Sequence, residues 1–194
     1  MKTRGKVVCL MGPSGVGKTS YAKRLVKKYG FALPTIVTTR QRRSDDGKNY
    51  QYVSEVIFLK MINSGSFLEW DRYLDYYYGT LTRSVEEIVG SEHHYGIVLD
   101  LTPAGCQKVK DIIPSAVIIA ILPDDPAWLL ERLTSRNSQP QEEIQLRMKL
   151  LNSYLDKINL LACKKVYASF SPDSWNSTFK VIENIVLESE AICD

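Results

Sequence analysis

Apolar positions along this chain come in short runs that alternate between two periods. Lys6-Val-Val-Cys-Leu-Met11 is a compact strand-like run, and Ser20 to Tyr29 then places Tyr21, Leu25 and Lys28 at helical spacing until Gly30 stops the pattern. Pro34-Thr-Ile-Val-Thr-Thr39 is β-branched and reads as a second strand. The pattern predicts further strands over Tyr95 to Asp100, Ala116 to Leu122 and Lys165 to Phe170. Helices are predicted over Ser84 to Ile88 (closed by Gly90), Pro103 to Lys110, from Asp124-Asp-Pro126 past Arg132, from Gln141 past Leu151 towards Leu161, and over Trp175 to Leu187. The last carries Phe179, Ile182, Ile185 and Val186 on one face. Ala116 to Leu122 is apolar throughout, as a strand buried on both faces must be. Strands and helices in alternation predict an α/β fold with a parallel sheet covered by helices on both faces.

Between Lys48 and Thr82 the texture changes. Tyr50 to Val53 reads as a short strand, Ser54 caps a helix running through Ile62 and ending near Gly65, and Phe67 to Leu74 with Tyr76 to Leu81 reads as two strands joined tightly. This small α+β piece breaks the alternation and is read as an insertion into the core. No linker is long enough to divide the 194 residues, so a single domain is expected, with 1–36, 84–125 and 164–194 as its core, 37–83 inserted, and 126–163 as a lid with the helix after it.

Composition narrows the classes. With 44% hydrophobic and 24% charged residues the chain is an ordinary globular protein, and its net charge of +3 suggests neither a nucleic-acid nor a membrane binder. No run approaches the roughly 20 apolar residues of a membrane span. Gly12 and Pro13 interrupt the early apolar stretch, so no secretory leader is expected. Cys9, Cys106, Cys163 and Cys193 lack metal-ligand spacing, and Cys9 is expected to be a buried thiol. His93-His94 is expected at the surface, with no third ligand nearby in sequence. A reducing, cytoplasmic setting is the default. Oligomeric state leaves no mark on the sequence.

The chemistry is concentrated in Gly12-Pro-Ser-Gly-Val-Gly-Lys-Thr19, which satisfies GxxxxGK[ST] at every fixed position and sits between a strand and a helix as that motif requires. Its glycines let the backbone close on a polyphosphate, so that Gly12, Pro13, Ser14, Gly15, Val16 and Gly17 form the cradle. The positive end of the following helix adds to the field. Lys18 is placed to reach the outer phosphates of a triphosphate, and the Thr19 hydroxyl to ligate Mg²⁺. Arg40-Gln-Arg-Arg43 follows a strand end; on composition alone this is equally a solvated basic loop, but a kinase needs a second anion site and Arg suits phosphate. Asp100 ends an apolar strand, where open parallel sheets carry functional groups.

The motifs GPSGVGKT, TTRQRR (Thr38 to Arg43), GKNY ending at Tyr50, FLEW (Phe67 to Trp70), YYGT (Tyr77 to Thr80), Leu99-Asp100 and RLTSR (Arg132 to Arg136) together resemble the guanylate kinase family of P-loop nucleoside monophosphate kinases, in order and in spacing. The resemblance implies that 37–83 binds GMP, with Arg40, Arg43, Tyr50 and Tyr78 on its phosphate, Glu69 and Thr80 on its base, and Asp100 close to the nucleotide. It further implies that Arg132 contacts ATP and that Arg136 and Arg147 are lid arginines, with Lys18, Arg43, Arg136 and Arg147 carrying the catalysis. A carboxylate suits the two adjacent donors of guanine's pairing edge, and a hydroxyl can donate to its carbonyl. Three departures stand out: Ile36 where the family usually has Ser, Thr102 where it has a second Asp, and Ser169-Phe170-Ser171 in place of an Asn-Asp pair. The expected function is ATP-dependent phosphorylation of GMP and dGMP. The alternatives are a kinase for another phosphorylated small molecule, against which Glu69 and Thr80 together speak, and a non-catalytic guanylate-kinase-like interaction module, against which the intact phosphate loop speaks.

Overall fold

A computed structural model of the chain describes residues 5–44, 46–135, 141–169 and 171–189. A five-stranded, all-parallel sheet is built from β1 (Lys6–Met11), β2 (Phe31–Ala32), β7 (Gly96–Asp100), β8 (Val117–Pro123) and β9 (Lys164–Ala168), in the order β2-β7-β1-β8-β9. Alternation along β1 divides the core. Val8 and Leu10 face α1 (Lys18–Tyr29) and α8 (Pro172–Glu188), through Tyr21, Leu25, Phe179 and Ile182, with Leu129 of α5 (Ala127–Ser135) in the same cluster. Val7, Cys9 and Met11 face α3 (Thr82–Val89), α4 (Pro103–Ile112) and α7 (Leu151–Asn159), through Val85, Cys106, Val109 and Ile158. Burial of every residue of β1 follows from helices on both faces, as expected of a parallel sheet.

A second, mixed sheet runs β4 (Tyr50–Tyr52), β3 (Ile36–Thr38), β6 (Tyr76–Leu81), β5 (Phe67–Tyr73), with α2 (Glu55–Asn63) between β4 and β5 in the chain. The strand expected over Pro34 to Thr39 is thus shorter than its β-branched run and belongs to this second sheet, parallel to β4 and antiparallel to β6. The place it leaves at the edge of the main sheet is taken by the two-residue β2, which the pattern did not separate from it. Pro34 lies between the two, without an N–H to carry a ladder across.

Caps confirm several expected boundaries. Ser54 accepts from the N–H of Ile57 at 3.4 Å, Gly30 ends α1 in the left-handed conformation, and Gly90 closes α3. Lys28 stays exposed and pairs with Glu183 of α8, whereas Tyr21 and Leu25 are buried as expected. The helix expected from Gln141 towards Leu161 is two, α6 (Gln141–Lys149) and α7, parted by one residue at Leu150. Ile144, Arg147, Leu151 and Ile158 form one buried stripe through both. Hydrogen bonds Leu150 N to Leu146 O (3.1 Å) and Tyr154 N to Leu150 O (2.9 Å) persist across the break, which lets the stripe follow the core from the phosphate loop to α4.

Candidate active site

The loop from Gly12 to Gly17 leaves β1 at the carboxyl end of the sheet, beside the end of β7, where the chain connections diverge to the two sides of β1. Gly12 has φ +151°, and a Cβ there would stand 2.1 Å from the Ile121 carbonyl oxygen, so no other residue fits. Lys18 folds its ammonium back over the loop, donating to the carbonyls of Gly12 (2.9 Å) and Pro13 (3.3 Å), 3.8 Å from the Asp100 carboxylate. Thr19 Oγ1 donates to Asp100 Oδ2 at 3.0 Å. Arg147, buried on α6, reaches the same loop and donates to Ser14 Oγ, with its guanidinium 5.7 Å from the Tyr73 ring centroid.

Across the opening stands the second sheet. Its register aligns Tyr50, Ile36, Thr80 and Glu69 in one row and Tyr52, Thr38, Tyr78 and Asp71 in the next. Arg40 extends from the end of β3. Its Nη1 and Nη2 form a bidentate pair with Asp46 at 2.7 and 2.6 Å, and its guanidinium lies 5.0 Å from the Tyr50 ring centroid. Asp46 also accepts from the N–H of Arg43 (2.7 Å) and from Tyr52 Oη (2.5 Å). These donors hold the Asp46 carboxyl well below the usual range against the cost of burial, and the pairing raises Arg40 correspondingly. Burial pushes the Tyr50 phenol up, keeping it a neutral donor.

Glu69 is 5% exposed and receives Thr80 Oγ1 at 2.6 Å; burial raises its pKa. A Cβ on Gly105 would lie 2.8 Å from Glu69 Oε2, so the missing side chain on α4 is what admits this carboxylate. Both walls open on one cavity of about 370 Å³, lined by Gly12, Ser14, Gly15, Gly17, Lys18, Thr19, Arg40, Arg43, Tyr50, Glu69, Tyr78, Thr80, Asp100 and Arg147.

A family model described as guanylate kinase matches residues 4–161. The chain belongs to the guanylate kinase family. It is 35% identical over 191 residues to a guanylate kinase of Caldanaerobacter subterraneus subsp. tengcongensis, covering 97% of this chain and 90% of that one. It is 32% identical over 190 residues to one of Rickettsia bellii, covering 96% of each. The crystal structure of guanylate kinase from Anaplasma phagocytophilum shares the fold, with TM-score 0.69 at 21% identity over 97% of this chain and 88% of that one. Members of the guanylate kinase family are nucleoside monophosphate kinases, and this chain is an enzyme of that class.

Within this family framework, most of the residues singled out from sequence converge on the cavity. Pro13 contributes a carbonyl to Lys18 without lining it, and Val16 is buried in the core. Arg132 is half-buried on α5 and does not line the cavity. Arg136 lies outside the described residues, as does Phe170 of the Ser169-Phe170-Ser171 run; Ser171 caps α8, accepting from Ser174 N at 3.2 Å. The Thr80 hydroxyl, expected to be available to a base carbonyl, already gives its one proton to Glu69. Sequence reading missed Asp46, Asp71, Tyr73 and Tyr154 as part of the cavity lining. Asp46 left a signal as an acid in the turn that follows the arginines, and Asp71 and Tyr73 left one as alternate residues after Glu69 on a predicted strand; Tyr154 left none. His93 and His94 are exposed, and among the described residues no group of three or more His, Cys, Asp or Glu could hold a metal. Cys9 is buried as expected; contact with it, together with burial, raises Cys106, so that thiol stays protonated beneath the site. Among the described residues no helix is long and apolar enough to cross a membrane.

Proposed function

We infer that this chain transfers the terminal phosphoryl group of ATP to GMP, and to dGMP, in a reducing cytoplasmic setting. The observation that carries this reading is one cavity lined both by the phosphate loop and by Arg40, Arg43, Tyr50 and Tyr78, with the buried Glu69–Thr80 pair in the same lining. The segment 37–83 is then the GMP-binding region, 126–163 the lid with its following helix, and the remainder the core.

Phosphoryl transfer asks a protein for in-line positioning and charge neutralisation, so no covalent nucleophile is needed. The backbone of the loop and Lys18 receive the ATP phosphates. Arg132, which lies outside the cavity lining, is left the part of that nucleotide that extends beyond the phosphates. Thr19, with Asp100 beside it, suits Mg²⁺, a hard cation that keeps most of its ligands as water and phosphate and so needs no all-protein cage. Held there with ATP, Mg²⁺ would supply neutralisation of the phosphate charge. Asp46 occupies the end-on edge of Arg40 and leaves the Nε–H and the second Nη2–H without a partner among the described residues. That side-on edge, with Arg43, Tyr50 and Tyr78, holds the acceptor phosphate against repulsion from ATP. Arg136 and Arg147 stabilise the charge that spreads over the transferring group.

Glu69 accepts from the ring N–H and the 2-amino group of guanine. As those donors take the carboxylate, the Thr80 hydroxyl is released to turn to the 6-carbonyl. Adenine offers an unprotonated ring nitrogen to Glu69, and the unpaired buried group costs about 1–3 kcal/mol or more. Initial rates with GMP, dGMP, AMP, UMP and CMP at saturating MgATP test the reading: GMP and dGMP should be strongly preferred, and an AMP or CMP rate equal to that of GMP refutes it.

A further inference from the structure

We propose that Asp71 is a specificity residue for the acceptor base, accepting a hydrogen bond from the purine 2-amino group beside Glu69. The inference rests on the reading of this cavity as a guanine site. Glu69 and Asp71 are two residues apart on β5, hence on one face of the strand, and both line the cavity. Burial is the main cause of the raised Glu69 carboxyl; the Asp71 charge adds to it and the Lys108 charge opposes it, so the two carboxylates are within electrostatic reach of one another. Two carboxylates facing one opening are unfavourable unless something with N–H groups comes between them.

Guanine's pairing edge carries three N–H bonds, one on the ring and two on the amine. Glu69 can satisfy the ring N–H and one amine hydrogen, and the other amine hydrogen then needs an acceptor further along the strand. Alternate Cα atoms of a strand are about 6–7 Å apart, and two acceptors that share one amine nitrogen stand about 5 Å apart, so carboxylates on alternate residues need lean together by only about 1–2 Å. Asp71 stands at that step.

Its orientation is already determined. Thr102 Oγ1 donates to Asp71 Oδ2 at 2.5 Å while accepting from Gly105 N at 3.1 Å as the cap of α4, and the N–H of Arg72 donates to Asp71 Oδ1 at 2.8 Å. Each carboxylate oxygen retains a second lone pair. Thr102, its proton committed to Asp71, is a positioning residue and not a donor to the base.

IMP differs from GMP only in lacking the 2-amino group, so it isolates the contact. Steady-state kcat/KM for both nucleotides should be measured in the wild type and in Asp71→Asn and Asp71→Ala, alongside thermal melts. The wild type should favour GMP. Asp71→Ala should lower kcat/KM for GMP by about 10- to 100-fold and for IMP by less than about threefold, collapsing the ratio, while Asp71→Asn keeps part of it. Were Asp71 only a tie between β5 and the cap of α4, both nucleotides would fall together with the melting temperature, and that result overturns the proposal. So does a GMP-to-IMP ratio unchanged in Asp71→Ala, which leaves the amine no acceptor at this position, whereas the Asn amide oxygen can still accept. A wild type inactive on GMP refutes the functional reading itself, and this proposal with it; one active on GMP but indifferent to Asp71 refutes the proposal alone.

Discussion

Truncating Asp46 to Ala should loosen the acceptor-phosphate pocket from behind. The carboxylate side chain is 7% exposed and its partner Arg40 5%, and it accepts four hydrogen bonds from Arg40, Arg43 and Tyr52. Removing one member of a buried pair costs about 3–5 kcal/mol when the survivor is left dry. Here the pair lies against the open cavity and water can reach the exposed edge of Arg40, so about 2–3 kcal/mol is the better expectation. For a chain of this size each kcal/mol shifts the melting temperature by about 2–4 °C, which places the loss at about 4–12 °C in a nucleotide-free melt. The sign with pH follows from a carboxyl held below its ordinary value. Its stabilisation is complete above the ordinary value of 3.8 and fades as pH falls below it, so the gap between wild type and variant should narrow under acid. Kinetically, Arg40 without its tether should raise the KM for GMP about tenfold or more, with a smaller effect on kcat. A GMP KM that drops in Asp46→Ala, with the melt moved by under about 2 °C, would mean that Asp46 competes with the substrate phosphate instead of holding Arg40 for it.

Arg136→Ala should cut turnover far more than it weakens GMP binding, because a lid arginine acts on charge that develops in the transition state; steady-state kinetics showing only a raised GMP KM would remove it from that role. Gly105→Ala brings a Cβ to 2.8 Å from Glu69 Oε2 and should displace the carboxylate, raising the GMP KM about tenfold or more while leaving the KM for ATP nearly unchanged in the same assay. For Glu69, whose carboxyl is raised by burial, stability is greatest below the ordinary value of 4.5 and is lost as pH rises through the raised one. Melts of nucleotide-free Glu69→Gln against wild type should therefore show the variant gaining ground between pH 4.5 and pH 7, and a flat difference would deny the perturbation.

Much of this architecture is legible along the chain because it is local. The strand, loop and helix around Gly12 to Thr19 follow from glycine conformations and from helix start signals within a dozen residues. The same holds for the Ser54 cap and for the β5–β6 hairpin, whose alternation alone puts Glu69 and Thr80 on matching strands. What the sequence by itself could not decide is where a short run finds its partner and which donor is already spent. Ile36 to Thr38 could extend either sheet, and its side chains are as apolar as both require, so only closure of the tertiary structure assigns it to β4 and β6. Arg147 meets Ser14 across 133 residues and Thr102 meets Asp71 across 31, contacts with no trace in local periodicity. The Thr80 proton goes to Glu69 because both are buried together, and a buried carboxylate draws the nearest donor. Chain order and local preference thus establish the elements and the identity of the chemistry. Long-range packing alone determines how the charges and protons of the site are shared before any ligand arrives.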